Sequence, residues 1–248
     1  MQYRGSFVMM MLGAMLGTGT DFIGIWALFA RFGSIRGWTL PEVALFYGVI
    51  SVGFALCEFM TAGFDDFGPM VKAGDFDRLL LRPRSTALQL TGAEFQLRRF
   101  GTLAQGSAVL IWSACALRLA WTPAQLGLLL ASIAGCACLF SGIFILQATL
   151  AFWTTESLEI ANTLTYGGRE TGEFPLEVYR PWFRRFFTVV VPLACVTYFP
   201  LTAVLGRDAT DLPALWLRCL APLAGPVFLL ASLRIWQFGV RHYRSTGS

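Results

Sequence analysis

Stretches of about 20 apolar residues, the length that carries a helix across a hydrocarbon core, recur in this chain at roughly 6–30, 42–60, 101–120, 125–148 and 221–240. In lipid every backbone N–H and C=O has to be satisfied within the protein, so runs of this kind fold as helices. With 248 residues, 56% of them hydrophobic and 14% charged, and a mean hydropathy of +0.61, the chain leaves no length for a soluble domain. The sequence therefore predicts an all-α polytopic membrane protein with six transmembrane helices in a single domain over 1–248.

The first tract could be a signal peptide, with Arg4 ahead of an apolar core, but the apolar run resumes after Asp21 and continues to Phe32. One retained span is expected. Asp21 then lies deep in it, and Gly13, Gly17, Asp21 and Gly24 fall on one helical face. Small residues at such spacing allow close helix packing, and an ionisable residue at that depth is a candidate for a translocation path. The alternative is a carboxyl hydrogen-bonded to a neighbouring helix.

The fifth span has two candidates. The segment 152–172 is only half apolar and carries Glu156, Glu159 and Asn162, whereas 183–205 is more apolar but interrupted by Pro192 and Pro200. With 183–205 as the span, 14 of the 19 basic residues fall on one side; with 152–172 the division is 10 against 9. Both arrangements are N-in/C-in and leave the charged loop at 63–100 in the cytoplasm.

That loop is the exception in an apolar chain. Between Asp65 and Arg99 it holds six of the 19 basic and five of the 15 acidic residues. Gly74 and Pro83 punctuate it, and an amphipathic helix is expected from Thr86, with Leu90, Ala93, Leu97 and Phe100 on one face and Thr86 and Gln89 in a capping box.

Several chemistries lack their parts. Six cysteines sit in or beside apolar segments with no Cys-x-x-Cys spacing, and His242 is the single histidine, so neither a metal site nor a Ser-His-Asp triad is expected. Lys72, the single lysine, is in no glycine-rich phosphate loop, which leaves the chain without an ATPase motif of its own. The net charge of +4 beside apolar runs fits membrane-surface anchoring and excludes a nucleic-acid surface.

Two motifs carry a family resemblance. Gly74-Asp-Phe-Asp-Arg-Leu-Leu-Leu-Arg-Pro-Arg84, after two spans, and Phe174-Pro-Leu-Glu-Val-Tyr-Arg-Pro-Trp-Phe-Arg-Arg185, continuing through Pro192, Tyr198-Phe-Pro200 and Leu205-Gly206, resemble permease subunits of bacterial type-2 ATP-binding-cassette exporters over nearly the whole chain. The resemblance implies an inner-membrane location and a partnership with a separate ATPase that uses ATP and Mg, this chain binding no cofactor. It also implies a second permease subunit, membrane lipids as neighbours, and a re-entrant hairpin at 175–205 on the outer face between spans five and six. The loop would then be the coupling element, with Gly74, Asp75, Phe76, Asp77, Arg78, Leu79, Leu80, Arg82 and Arg84 meeting the ATPase: charges for pairing, Phe76 and the leucines as an apolar plug. Glu156, Glu159 and Asn162 would join Asp21 along a hydrated path. Tyr179, Arg180, Trp182, Arg184, Arg185, Pro192 and Pro200 would form an outer gate, or else anchor the chain at the interface. Relatives carry an amphipathic lead-in where only Met1 to Gly5 precede the first span. A rival reading is a proton- or ion-coupled secondary transporter using Asp21, Glu156 and Glu159. An embedded enzyme would need a nucleophile-base pair, and none is present.

Overall fold

The computed structural model describes residues 4–91, 99–153, 158–207 and 212–243, with the side chains of 4, 6, 7 and 158–163 excluded. Helices make up 81% of it, and there are no strands among the described residues. The long elements are α1 (Arg4–Phe32) and α2 (Leu40–Asp65). Three short helices follow, α3 (Phe67–Lys72), α4 (Phe76–Leu80) and α5 (Thr86–Thr91). Next come α6 (Arg99–Ala116), α7 (Pro123–Leu150) and α8 (Leu158–Gly172). The last third holds the short α9 (Pro181–Val189), α10 (Leu193–Val196), α11 (Tyr198–Val204) and α12 (Leu215–Leu220), then α13 (Ala224–His242).

Among the described residues four helical stretches are long and apolar enough to cross a membrane: Val8–Phe32, Leu40–Lys72, Pro123–Leu150 and Leu215–His242. The pair Pro181–Val189 and Leu193–Val204 would be a fifth if it were one span, but it is bent by 75°. Pro192 breaks it, because a proline has no N–H to give to the helix and its ring crowds the preceding turn. The α6 and α8 helices fall outside this set; α6 has 18 residues and α8 only 15, rich in polar side chains.

The helix starts follow local chemistry. Thr39 and Glu42 form a reciprocal capping box at α2, with Pro41 in its first turn, and Thr122 with Gln125 does the same at α7 behind Pro123. The cap at α5 is Ser85, whose Oγ accepts from the Leu88 N–H at 3.4 Å. Thr86 does not cap as its spacing predicted, because its Oγ1 accepts instead from Trp236 Nε1 at 3.1 Å. Ala93 and Leu97, expected on the amphipathic face, lie outside the described residues.

α2 is the hub, with 83% of its most apolar stretch buried against α6, α7 and their neighbours, whereas only 6% of the corresponding stretch of α1 is buried. Backbone crossings fix this packing. A Cβ on Gly225 of α13 would stand 2.1 Å from the Gly135 carbonyl oxygen of α7, and one on Gly101 of α6 would stand 2.3 Å from the Met11 carbonyl of α1. By contrast Gly13, Gly17 and Gly24 meet no neighbouring atom within 4 Å. Within one chain, then, the glycine that lets α1 approach is Gly101, and the α1 small-residue face is uncovered.

The segment 175–207 is tied to one end of the bundle at both of its ends. At its start the Glu177 carbonyl accepts from Arg36 at 2.6 Å, and its carboxylate accepts from Trp38 Nε1 at 3.2 Å and from the Tyr198 hydroxyl. At its finish the Val204 carbonyl accepts from Gln125 Nε2 at 3.1 Å, and Arg207 bonds Glu42 at 2.8 Å and the Gly37 carbonyl at 2.7 Å. The Arg207 guanidinium also lies 3.9 Å over the buried Trp38 ring. Between those attachments Val196 packs against Gly135, 12 residues into α7, or about 18 Å at 1.5 Å per residue.

Candidate functional site

Two surfaces gather charged side chains in an otherwise apolar bundle. The first is a polar groove along α1. One chamber of about 410 Å³ lies between α1, α2, α6 and α8, lined among others by Thr18, Asp21, Phe54, Glu58, Gln105 and Arg169. A second, of about 390 Å³, continues past Asp21, Tyr166 and Arg169 to Glu170, Glu173 and Phe174. Asp21 sits 11 residues before the end of α1, about 16 Å along the axis, so the groove passes mid-depth.

The walls are held by ion pairs that cross between helices. Arg99, at the start of α6, is paired with the buried Glu58 of α2. Arg169 of α8 reaches Asp21 at 3.9 Å and Glu173 at 3.6 Å, and its guanidinium lies 5.4 Å from the centre of the Phe54 ring. Tyr47 donates to the Thr18 carbonyl at 2.8 Å and faces Gln105. Apart from Arg169–Glu173, one turn apart at the end of α8, each of these contacts joins two helices, and a charge in such surroundings is stable only if it is paired or wetted. Asp21 has its side chain 54% exposed, so it keeps access to the groove while pairing weakly with Arg169.

Of the residues predicted for this path, the structure places Asp21 on the groove. Glu156 lies outside the described residues, and Glu159 and Asn162 belong to α8, where only their backbone is described. Sequence reasoning missed Glu58, Arg99, Gln105 and Glu173. Glu58 had a signal, an acidic residue inside a predicted span. Arg99 closes the charged loop, and nothing in the sequence pairs it with a residue 41 positions earlier.

The second surface is the charged loop. A Schellman turn ends α3: the Gly74 N–H bonds the Val71 carbonyl at 3.1 Å and the Asp75 N–H bonds that of Met70 at 3.1 Å, with Gly74 at φ +74° as such a turn requires. The turn points Phe76 inward. It is fully buried, its ring centre 5.0 Å from Phe67, 5.5 Å from Phe152, 6.3 Å from Trp236 and 5.0 Å from Tyr243. Phe76 is thus an anchor and not the exposed plug that its place in the loop suggested. Leu79 also packs on the core. Burial and the Asp77 carboxylate beside it raise the Tyr243 phenol above its ordinary range.

What remains outward is Arg78, Leu80, Leu81, Arg82 and Arg84, with Leu81 86% exposed. Asp75 and Arg78 face each other at 3.6 Å on the open surface. Gln89 ties the loop back, donating to the carbonyls of Leu79 at 3.2 Å and Arg84 at 2.9 Å.

The expected outer-gate residues divide. Tyr179, Trp182 and Phe183 form a ring cluster with centres 5.1 and 5.5 Å apart. Arg184 and Arg185 line a separate cavity of about 200 Å³ with Tyr198 and Phe199, and Trp182 and Arg180 are exposed. Pro192 is at the bend and Pro200 is buried in α11. Among the described residues no group of three or more histidine, cysteine or acidic side chains is arranged to hold a metal.

A family model described as "ABC-2 family transporter protein" matches residues 15–247. No curated protein and no solved structure matches the chain.

Proposed function

The chain belongs to the ABC-2 transporter family and serves as the membrane permease component of an ABC transporter, and on that premise we propose that it is an exporter subunit driven by a separate ATPase docked on the 63–100 loop. The family supplies the expectation of an ABC ATPase as partner and of a multi-pass membrane location. The reading adds a bacterial inner membrane, six spans (α1, α2, α6, α7, α8 and α13) and cytoplasmic termini. The 175–205 segment is then an outer re-entrant hairpin, a choice supported by its two attachments at the α1–α2 and α6–α7 end of the bundle.

The observation that carries the coupling role is the two-sidedness of α4. Phe76 is locked among rings from α3, α13 and the ends of the neighbouring helices, while Leu80 and Leu81 stand exposed between Arg78 and Arg82. An apolar ridge flanked by arginines on a short, anchored element suits a protein partner, since exposed leucines at this density mark contact surfaces. Because the inner face is packed, a push on the ridge moves the spans with it.

The second permease subunit is proposed to cover α1. Asp21, Gly17 and Gly24 are exposed along it, and a groove with an acidic residue open at mid-depth is incomplete until another chain closes it. Cargo would cross in the space enclosed between the two copies.

Leu81→Asp tests the docking role. It should lower co-purification of the ATPase at least tenfold, with the permease still inserted and monodisperse, because a charge replaces the most exposed apolar contact. Undiminished co-purification together with unchanged cargo-stimulated ATP hydrolysis refutes it.

A further inference from the structure

The groove has a charge imbalance that bears on what it carries. In its outer chamber Asp21, Glu170 and Glu173 face a single guanidinium, that of Arg169, among the described residues. Arg169 lies between Asp21 at 3.9 Å and Glu173 at 3.6 Å; burial lifts the Glu173 carboxyl to about 7, and Glu170 adds a further carboxylate, so the one cation is still outnumbered. The same walls are aromatic and apolar. Tyr166 is 38% exposed and lines both chambers, and Phe174, Ile25 and Leu28 complete the outer one.

Next door, Ser51 is 4% exposed and lines the adjoining chamber, its Oγ near the Tyr47 phenol but without a well-formed hydrogen bond. A buried hydroxyl so placed gives a ligand in the chamber a polar contact. Negative charge, exposed aromatic surface and a polar buried contact, in two chambers of about 410 and 390 Å³, are the features that recognise an organic cation with an apolar body. An anion of the same shape would meet more repulsion than attraction there.

We infer that the groove takes cationic amphiphiles as cargo, an assignment that rests on the permease reading above. Arg180, Arg184 and Arg185, expected at an outer gate, do not line this groove; two of them line a separate cavity.

The test compares tetraphenylphosphonium with tetraphenylborate, two probes of nearly the same shape and opposite charge. Binding to the purified permease is measured by tryptophan fluorescence in detergent, for the wild type, Asp21→Asn and Glu170→Gln. Each variant should weaken the phosphonium roughly tenfold, the scale of one partly screened charge pairing, and leave the borate unchanged or tighter. Both side chains are exposed, so the variants are expected to fold, and size-exclusion profiles check this. Equal weakening of both probes, or phosphonium binding that neither variant alters, overturns the inference. If the assembled complex hydrolyses ATP in response to the borate and not the phosphonium, the cargo class is wrong and the permease reading stands. If no ATPase associates at all, that reading itself fails.

Discussion

Replacing Phe76 with alanine separates the anchor of the coupling loop from its contact surface. Phe76 is fully buried and has four rings within 6.3 Å. Truncating a buried phenylalanine costs about 3–5 kcal/mol, through lost transfer and a residual cavity. Aromatic pairing adds about 0.5–1.5 kcal/mol for each well-placed partner, part of which is already in that figure. The expected loss for Phe76→Ala is therefore about 3–5 kcal/mol. Leu81→Ala, at a side chain 86% exposed, should stay within about 0.5 kcal/mol of wild type. The assay is reversible denaturation in mixed micelles followed by tryptophan fluorescence, Trp236 being a member of the cluster. In the assembled complex the two variants should again part company: Phe76→Ala uncouples ATP hydrolysis from cargo while the ATPase stays bound, and Leu81→Ala weakens the association itself. Phe76→Ala as stable as Leu81→Ala would refute the anchoring argument, as would Leu81→Ala proving the more destabilising of the two.

Two further outcomes check the frame around these surfaces. With Cys115 and Cys219 replaced by serine, Arg180→Cys should react with a membrane-impermeant maleimide added from outside intact cells; labelling only after the cytoplasmic face is opened would reject the outer hairpin. Gly225→Leu should prevent α13 from seating on α7, because even a Cβ there stands 2.1 Å from the Gly135 carbonyl oxygen. Overpacking of this kind costs about 1–3 kcal/mol or more, and the expected readout is protease sensitivity of the last helix; native-like resistance would contradict the close crossing.

The helical, membrane-embedded character of the chain was legible because one physical constraint, backbone satisfaction in lipid, acts on single segments and leaves a local trace. Pro41 and Pro123 likewise announced helix starts through a property of one residue. The ambiguity at 152–205 has the opposite origin. Charge counting treats each segment as straight; Pro192 was legible as a break, but the 75° angle at it and the long-range ties of Glu177 and Arg207 depend on residues far away in the chain. The groove was half legible for the same reason. Asp21 stood out alone, but its setting depends on Arg169, 148 positions later, and on the Glu58–Arg99 pair, whose members seemed to belong to a span and to a surface helix. Phe76 was placed in the right loop and given the wrong direction, since the Schellman turn at Gly74 decides which way it points and a list of apolar residues does not.

The groove and the loop are joined by one element, and this gives coupling a physical route. α2 is helical over 26 residues, Leu40–Asp65, about 39 Å at 1.5 Å per residue, against a hydrocarbon core of about 30 Å. In its first turn it holds Arg207, and hence the end of the 175–207 segment, through Glu42. It passes the groove at Ser51, Phe54 and Glu58. It ends at Phe64, against Trp236 of the ring cluster that receives Phe76, and Phe67 of α3 follows in the same cluster. A helix cannot stretch, so a shift imposed on the cluster, as the proposed ATPase docking would impose, has to reappear as translation or tilt at Glu58 and Glu42. Glu58 is buried against Arg99, and Glu42 is half-buried against a partly exposed Arg207; a charge pair out of water tolerates separation poorly. Small tilts of this helix are therefore resisted at both pairs together, and the groove wall is expected to change between discrete arrangements in preference to yielding by degrees.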